Sequence, residues 1–242
     1  MATTALFGDT EPTNEGFESV LSRLTGQYSI RPLSEQSVTG TLYLRHDVSL
    51  SLADAVRMAK REAEHGIRGT YCIMLGSPLF NPLDETQQTR IREIESQGHE
   101  IGLLCNTHDH WEKQPETDEL ESLVSRQQSI LDEIVEDSSE VVSFHRPPSW
   151  IQQRNFPEFQ NALASAYTSE IAYIEDCPRT REGQELHNKG DPPESLQVVV
   201  HPALWMSSVT EYERKIEQSV IDSCRYVNRR ARAEFVDPRR ES

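Results

Sequence analysis

The chain has few of the features that would make its function obvious. Only four of its 24 basic residues are lysine: Lys60, Lys113, Lys189 and Lys215. Basic residues are outnumbered by 40 acidic ones, which leaves a formal net charge of −16. A field of that sign repels phosphate backbones, so general nucleic-acid binding is excluded. No apolar run approaches the ~20 residues that a membrane helix needs. The first 16 residues have no basic stretch followed by an apolar one, which is not the pattern of a signal peptide. The four cysteines, Cys72, Cys105, Cys177 and Cys224, form no C-x-x-C pair, and a chain of 242 residues needs no disulfide staples. Four reduced thiols in a cytoplasmic protein are expected.

Much acid, little lysine and few large apolar residues is a composition that stays soluble in concentrated salt, where screening weakens self-repulsion. A halophile cytosol fits it; an acidic protein from a GC-rich genome has the same arginine preference. The length suits one sizeable domain. The reading is an acidic tail over 1–16, a single domain over 17–236 and a short tail over 237–242.

From residue 41 the chain alternates short apolar runs with helical patterns. Strands are expected at Thr41–Arg45, Thr70–Leu75, Glu100–Cys105, Val141–Phe144 and Leu196–Val200, with weaker ones at 166–168 and 171–174. Ser51-Leu-Ala-Asp54 reads as a capping box, and Gly66 and Gly98 read as helix stops. A second capping box at Ser208 opens a helix expected to bury Tyr212, Ile216, Val220 and Val227. Strands alternating with helices predict a parallel sheet, and about seven strands with no room for a second core predict a closed or nearly closed barrel.

In such barrels chemistry gathers at the C-terminal ends of the strands. Those ends carry His46-Asp47, then Asn106-Thr-His108-Asp-His110, then His145-Arg146-Pro147-Pro148, then Glu175-Asp176, then His201-Pro202. Asp47, Arg146 and His201 are the foremost site candidates among them. Trp150 and Trp205 follow two strand ends and offer aromatic planes to a ligand, and Asp176 is a further candidate for substrate contact. His46 faces either the pore or the outer helices; His99 reads as a structural hydrogen-bonder, and His65 and His187 as surface.

Four short motifs, in order and at matching spacing, resemble those of the NodB-homology polysaccharide deacetylases (carbohydrate esterase family 4), in a branch with an R-H-D-V-D first motif. They are Arg45-His-Asp-Val48, Gly98-His-Glu-Ile-Gly102, Arg146-Pro-Pro148 and Val200-His-Pro202. The resemblance implies a distorted (β/α)7-type barrel and hydrolysis of the amide of an N-acetylated sugar. It implies Asp47 as general base, His201 as general acid and Arg146 as the arginine that orients the base. The implied partner is a carbohydrate or nucleotide-sugar ligand. It also implies a zinc-like divalent metal held by an Asp-His-His set. Here Ser49 and Leu104 stand at two of those positions and only His108 at the third. Three readings therefore stay open: a divergent deacetylase with a remodelled metal site, a metal-independent amide hydrolase, and an inactive glycan- or partner-binding relic.

Overall fold

The computed structural model describes residues 10, 12–36, 38–176 and 193–237, and every strand pairing in it is parallel. Helix α1 (Asn14–Thr25) leads into β1 (Ser29–Arg31) and β2 (Thr41–Val48). Then α2 (Leu52–Glu64), β3 (Thr70–Ile73), α3 (Glu85–Ser96), β4 (Glu100–Cys105), α4 (Thr117–Asp132) and β5 (Ser138–Phe144) alternate. After them come β6 (Gln160–Asn161), the one-turn α5 (Ser165–Thr168), β7 (Ala172–Glu175), β8 (Leu196–Val200), the short α6 (Pro202–Trp205) and the long α7 (Tyr212–Phe235). The sheet order is β6-β5-β4-β3-β2-β8-β7, with β1 beside the start of β2. Parallel neighbours need crossovers, and the helices supply them.

No ladder joins β6 to β7 among the described residues, yet the sheet curls toward closure. Gln197 on β8 donates from its amide to the carbonyls of Ala162 (3.1 Å) and Tyr167 (2.9 Å). Gln160 on β6 donates to the Tyr167 hydroxyl at 2.8 Å and the Leu33 carbonyl at 2.7 Å. The Tyr167 ring meets Tyr43 of β2 edge-on. Helix α5 thus stands in the gap, and the result is an α/β distorted barrel. The strand expected at 166–168 is this helix turn. Its backbone bonds locally, Tyr167 N to Ala164 O and Ser169 N to Ser165 O, instead of joining a ladder.

Strand alternation sorts the side chains. Leu42 and Leu44 of β2 face outward onto Phe17, Leu21 and Met58 of the helical layer. Tyr43 faces in, among Leu33, Cys72, Met74, Leu104, Val141 and Ala162. Ser51 caps α2 by accepting the Asp54 amide at 3.2 Å. Gly66 and Gly98 end α2 and α3 at φ of 70° and 88°, a backbone region that side chains disfavour.

The C-terminal helix departs from expectation. It begins after Glu211, not Ser208, and is ~36 Å long at 1.5 Å per residue. Buried Lys215 holds its first part by donating to the carbonyls of Leu204 and Pro12. Beyond that the helix outruns the core, so Val220 and Val227 are exposed. No helix among the described residues is long and apolar enough to cross a membrane. Cys72, Cys105 and Cys224 are free thiols. Cys177, His187 and the tail residues 1–9 and 238–242 lie outside the described residues.

Candidate active site

β2 carries the first and third residues of its motif, Arg45 and Asp47, inward and the one between them, His46, outward. Arg45 and Asp47 are two apart and share the interior face, and both are buried. Arg45 Nε lies 3.1 Å from Asp47 Oδ1, and its Nη2 donates to Oδ2 at 3.3 Å. Ser143 of β5 donates to the same Oδ2 at 3.2 Å. Arg45 also donates to Gln197 Oε1 (3.0 Å) and to the Tyr173 hydroxyl (3.3 Å). The arginine that orients Asp47 is therefore Arg45. Arg146, expected in that role, is exposed and makes no ion pair among the described residues; a left-handed φ of 46° turns its backbone out at the rim. That conformation costs a non-glycine residue about 1–2 kcal/mol, and the Arg146 carbonyl is held there by His108 Nε2, which donates to it at 2.8 Å.

His46 points outward, between the sheet and α2. Its Nε2 lies 3.0 Å from Glu62 Oε1, and its ring stacks on Tyr71. Tyr71 donates to Glu62 Oε2 at 2.9 Å. His99 accepts the Gly69 amide at Nδ1 and donates from Nε2 to the Ala59 carbonyl. These residues brace the outer layer and take no part in the pore.

His201, one residue past β8, is tied to Asp176, one residue past β7. The Asp176 carboxylate accepts from His201 Nδ1 at 2.6 Å, from the His201 amide at 2.8 Å and from Trp205 Nε1 at 2.7 Å. Burial alone would lower the His201 pKa, but the Asp176 carboxylate, with Asp47 and Glu175 further off, outweighs it and pushes it up to about 9. His145 moves the other way: burial, with Arg146 beside it, holds its pKa below the ordinary value. Burial raises that of Glu175.

These groups open onto one cavity of about 980 Å³ at the C-terminal ends of the strands. Its wall includes Arg45, Asp47, His145, Arg146, Tyr173, Glu175 and His201, with apolar surface from Met74, Leu163 and Leu204. The size lies within the range of small-molecule sites. Asp47 and His201 are cross-strand neighbours. The last β2–β8 rung pairs His46 with Val200, and each residue is one step beyond it on strands ~4.8 Å apart.

Other candidates stand elsewhere. Trp205 is fully buried against Phe17 and offers no ring face to a ligand. Trp150 packs against the outer core and is not on the cavity wall. Asp176 is buried behind His201 and positions it. Arg45, Ser143, His145, Tyr173 and Glu175 are the site groups that the sequence reading gave no role. The i, i+2 spacing of Arg45 and Asp47 was the available signal for the first.

The metal positions do not fit a metal. Register places Asp47, Cys72 and Gly102 in one row and pairs Leu104 with Ser143 in the next inward one. Leu104 is 1 % exposed and packs among Cys72, Met74 and Val141, so a hydrocarbon fills the place of a ligand. His108 sits exposed on a one-turn 3-10 helix, with Nε2 on the Arg146 carbonyl. Cys105 faces the outer core. No three His, Cys, Asp or Glu side chains among the described residues form a set that could hold a metal ion.

The class defined by this fold and site is an α/β barrel with an ionisable cavity at its strand ends. No protein-family model matches the chain, and no curated protein matches it by sequence. Among solved structures it is similar to the chitin deacetylase from the fungal pathogen Colletotrichum lindemuthianum, at 10 % identity over 80 % of this chain and 86 % of that one, with a TM-score of 0.45.

Proposed function

We propose that this protein hydrolyses the amide of an N-acylated, sugar-type ligand by acid–base chemistry, without a resident metal. One observation supports the reading best: a carboxylate and an imidazolium sit at the same level of adjacent strands, on the wall of one cavity. Asp47 has about four lone-pair sites. Arg45 and Ser143 both donate to Oδ2, while Oδ1 accepts no hydrogen bond among the described residues, so the carboxylate keeps capacity to take a proton from water. The water oxygen adds to the acyl carbon, and Arg146 on the cavity wall offers hydrogen bonds to the oxygen that gains charge. Asp176 occupies His201 Nδ1, so Nε2–H is the proton delivered to the leaving nitrogen as the C–N bond breaks. The products are a carboxylate and an amine.

A second reading is a barrel that binds the same ligand and turns nothing over. The Arg45 guanidinium and the Ser143 hydroxyl already on Asp47 favour it, because a structural ion pair accounts for the buried carboxylate without any reaction. The test is acetate release from N-acetylated mono- and disaccharides by wild type, Asp47→Asn and His201→Gln. The proposal expects turnover in wild type and a loss of about 10²–10⁴-fold in each variant. Saturable sugar binding with no acetate released would establish the second reading instead.

A further inference from the structure

A second concavity, of about 250 Å³, lies beside the first, and Leu50 is in the wall of both. Three helices send four arginines to it: Arg57 from α2, Arg90 from α3, and Arg225 and Arg229 from α7. On a chain of net charge −16 this convergence opposes the sign of the whole molecule's field. Two carboxylates partly answer it. Asp54 pairs with Arg57, and Asp222 pairs with Arg225 at 3.3 Å. Each is an i,i+3 pair within its own helix with an exposed arginine, a weak interaction in water that a stronger anion can redirect. Arg229 has no acceptor among the described residues. Arg90 donates to Gln87 Oε1 at 3.0 Å and lies over the Tyr226 ring.

Gln87 is the built element of the groove. It is only 3 % exposed, yet the N–H groups of its side chain have no acceptor among the described residues. The first turn of α2, a helix of 13 residues, lines the same groove and adds the positive end of its dipole. A tetrahedral oxyanion suits this set: planar guanidinium forks, an amide donor and backbone N–H groups.

We infer that the groove binds a phosphate group, as a monoester or a diphosphate, and that the ligand of the neighbouring cavity is a phosphorylated sugar. The second half rests on the sugar-type reading of the cavity. The acylated ring lies in the barrel mouth, and the phosphate reaches past Leu50 to the arginines. This arrangement gives an acidic protein a local means of holding an anionic substrate.

The test uses the full chain and two probes at fixed salt. Inorganic pyrophosphate, followed by calorimetry, binds saturably at millimolar concentration or tighter. Binding weakens at least about tenfold in Arg57→Gln/Arg229→Gln and is unchanged in Arg126→Gln, whose exposed side chain on α4 bonds to Ser122. Thermal melts confirm that both variants fold. No saturable binding, or equal weakening in Arg126→Gln, overturns the groove as a phosphate site. The second probe is an N-acetylated hexosamine phosphate against the same sugar without phosphate. An advantage of at least about tenfold in wild type, erased in the double variant, is the expected result. Equal affinity for the two sugars overturns the link between groove and cavity. Phosphate binding without acetate release from any substrate leaves this inference standing and removes only the hydrolase reading.

Discussion

Asp47 and His201 leave adjacent strands one residue beyond their last paired rung and line the same cavity, one as a carboxylate fixed by Arg45 and the other as an imidazolium fixed by Asp176. A general acid must be protonated, so turnover is expected to fall as pH rises through about 9, the His201 value. In Asp176→Asn that limb moves down toward the ordinary histidine value of about 6.5. A pH–rate profile of wild type and variant checks both positions.

The same shift affects folding. A pKa raised from about 6.5 in the unfolded chain to about 9 in the fold gives stability that is fully present below pH 6.5. It is lost as pH rises through 9. Urea midpoints measured across that window are expected to fall in wild type and to flatten in Asp176→Asn. The variant is also less stable at neutral pH by about 1–3 kcal/mol, because the Trp205 and His201 donors lose a charged acceptor.

Arg45 is buried with four acceptor atoms around it, and Asp47 depends on it for charge balance. Arg45→Met leaves a buried carboxylate with only the Ser143 hydroxyl, which costs about 3–5 kcal/mol. Arg45→Met with Asp47→Leu removes both charges and is expected to recover most of that loss. Chemical denaturation of the three proteins gives the coupling directly.

Restoring the two missing ligand types, by Ser49→Asp with Leu104→His, is expected not to restore a site. Leu104 fills space between Met74, Cys72 and Val141, so its replacement costs about 2–5 kcal/mol of core packing. His108 remains on its exposed turn, bonded to the Arg146 carbonyl. Zinc calorimetry on the double variant is expected to show no one-site binding. Micromolar zinc binding in a folded variant would mean that the pocket has kept its ligand geometry.

What the sequence made legible was largely what alternation controls. The parallel strands and the Ser51 cap follow from local pattern, as do Asp47, His145 and His201 at strand ends. The face of His46 was open from sequence, because β2 is buried on both faces and carries polar residues on each, so alternation marks neither as the pore. Trp205 was misread for a related reason: a tryptophan after a strand end looks the same whether it meets a ligand or, as here, buries its N–H against Asp176. The partner of Asp47 was missed because the resemblance pointed to Arg146, while the i−2 arginine on the same strand face was nearer. The exposure of Val220 and Val227 was out of reach, since helical periodicity does not tell where the body of the protein ends.

Asp47 and His201 are proposed to act without a metal. The most direct measurement is acetate release by chelator-stripped protein in molar KCl, before and after zinc is added back. The same rate is expected in both, abolished by Asp47→Asn. Turnover that appears only with zinc and disappears in His108→Ala would contradict this.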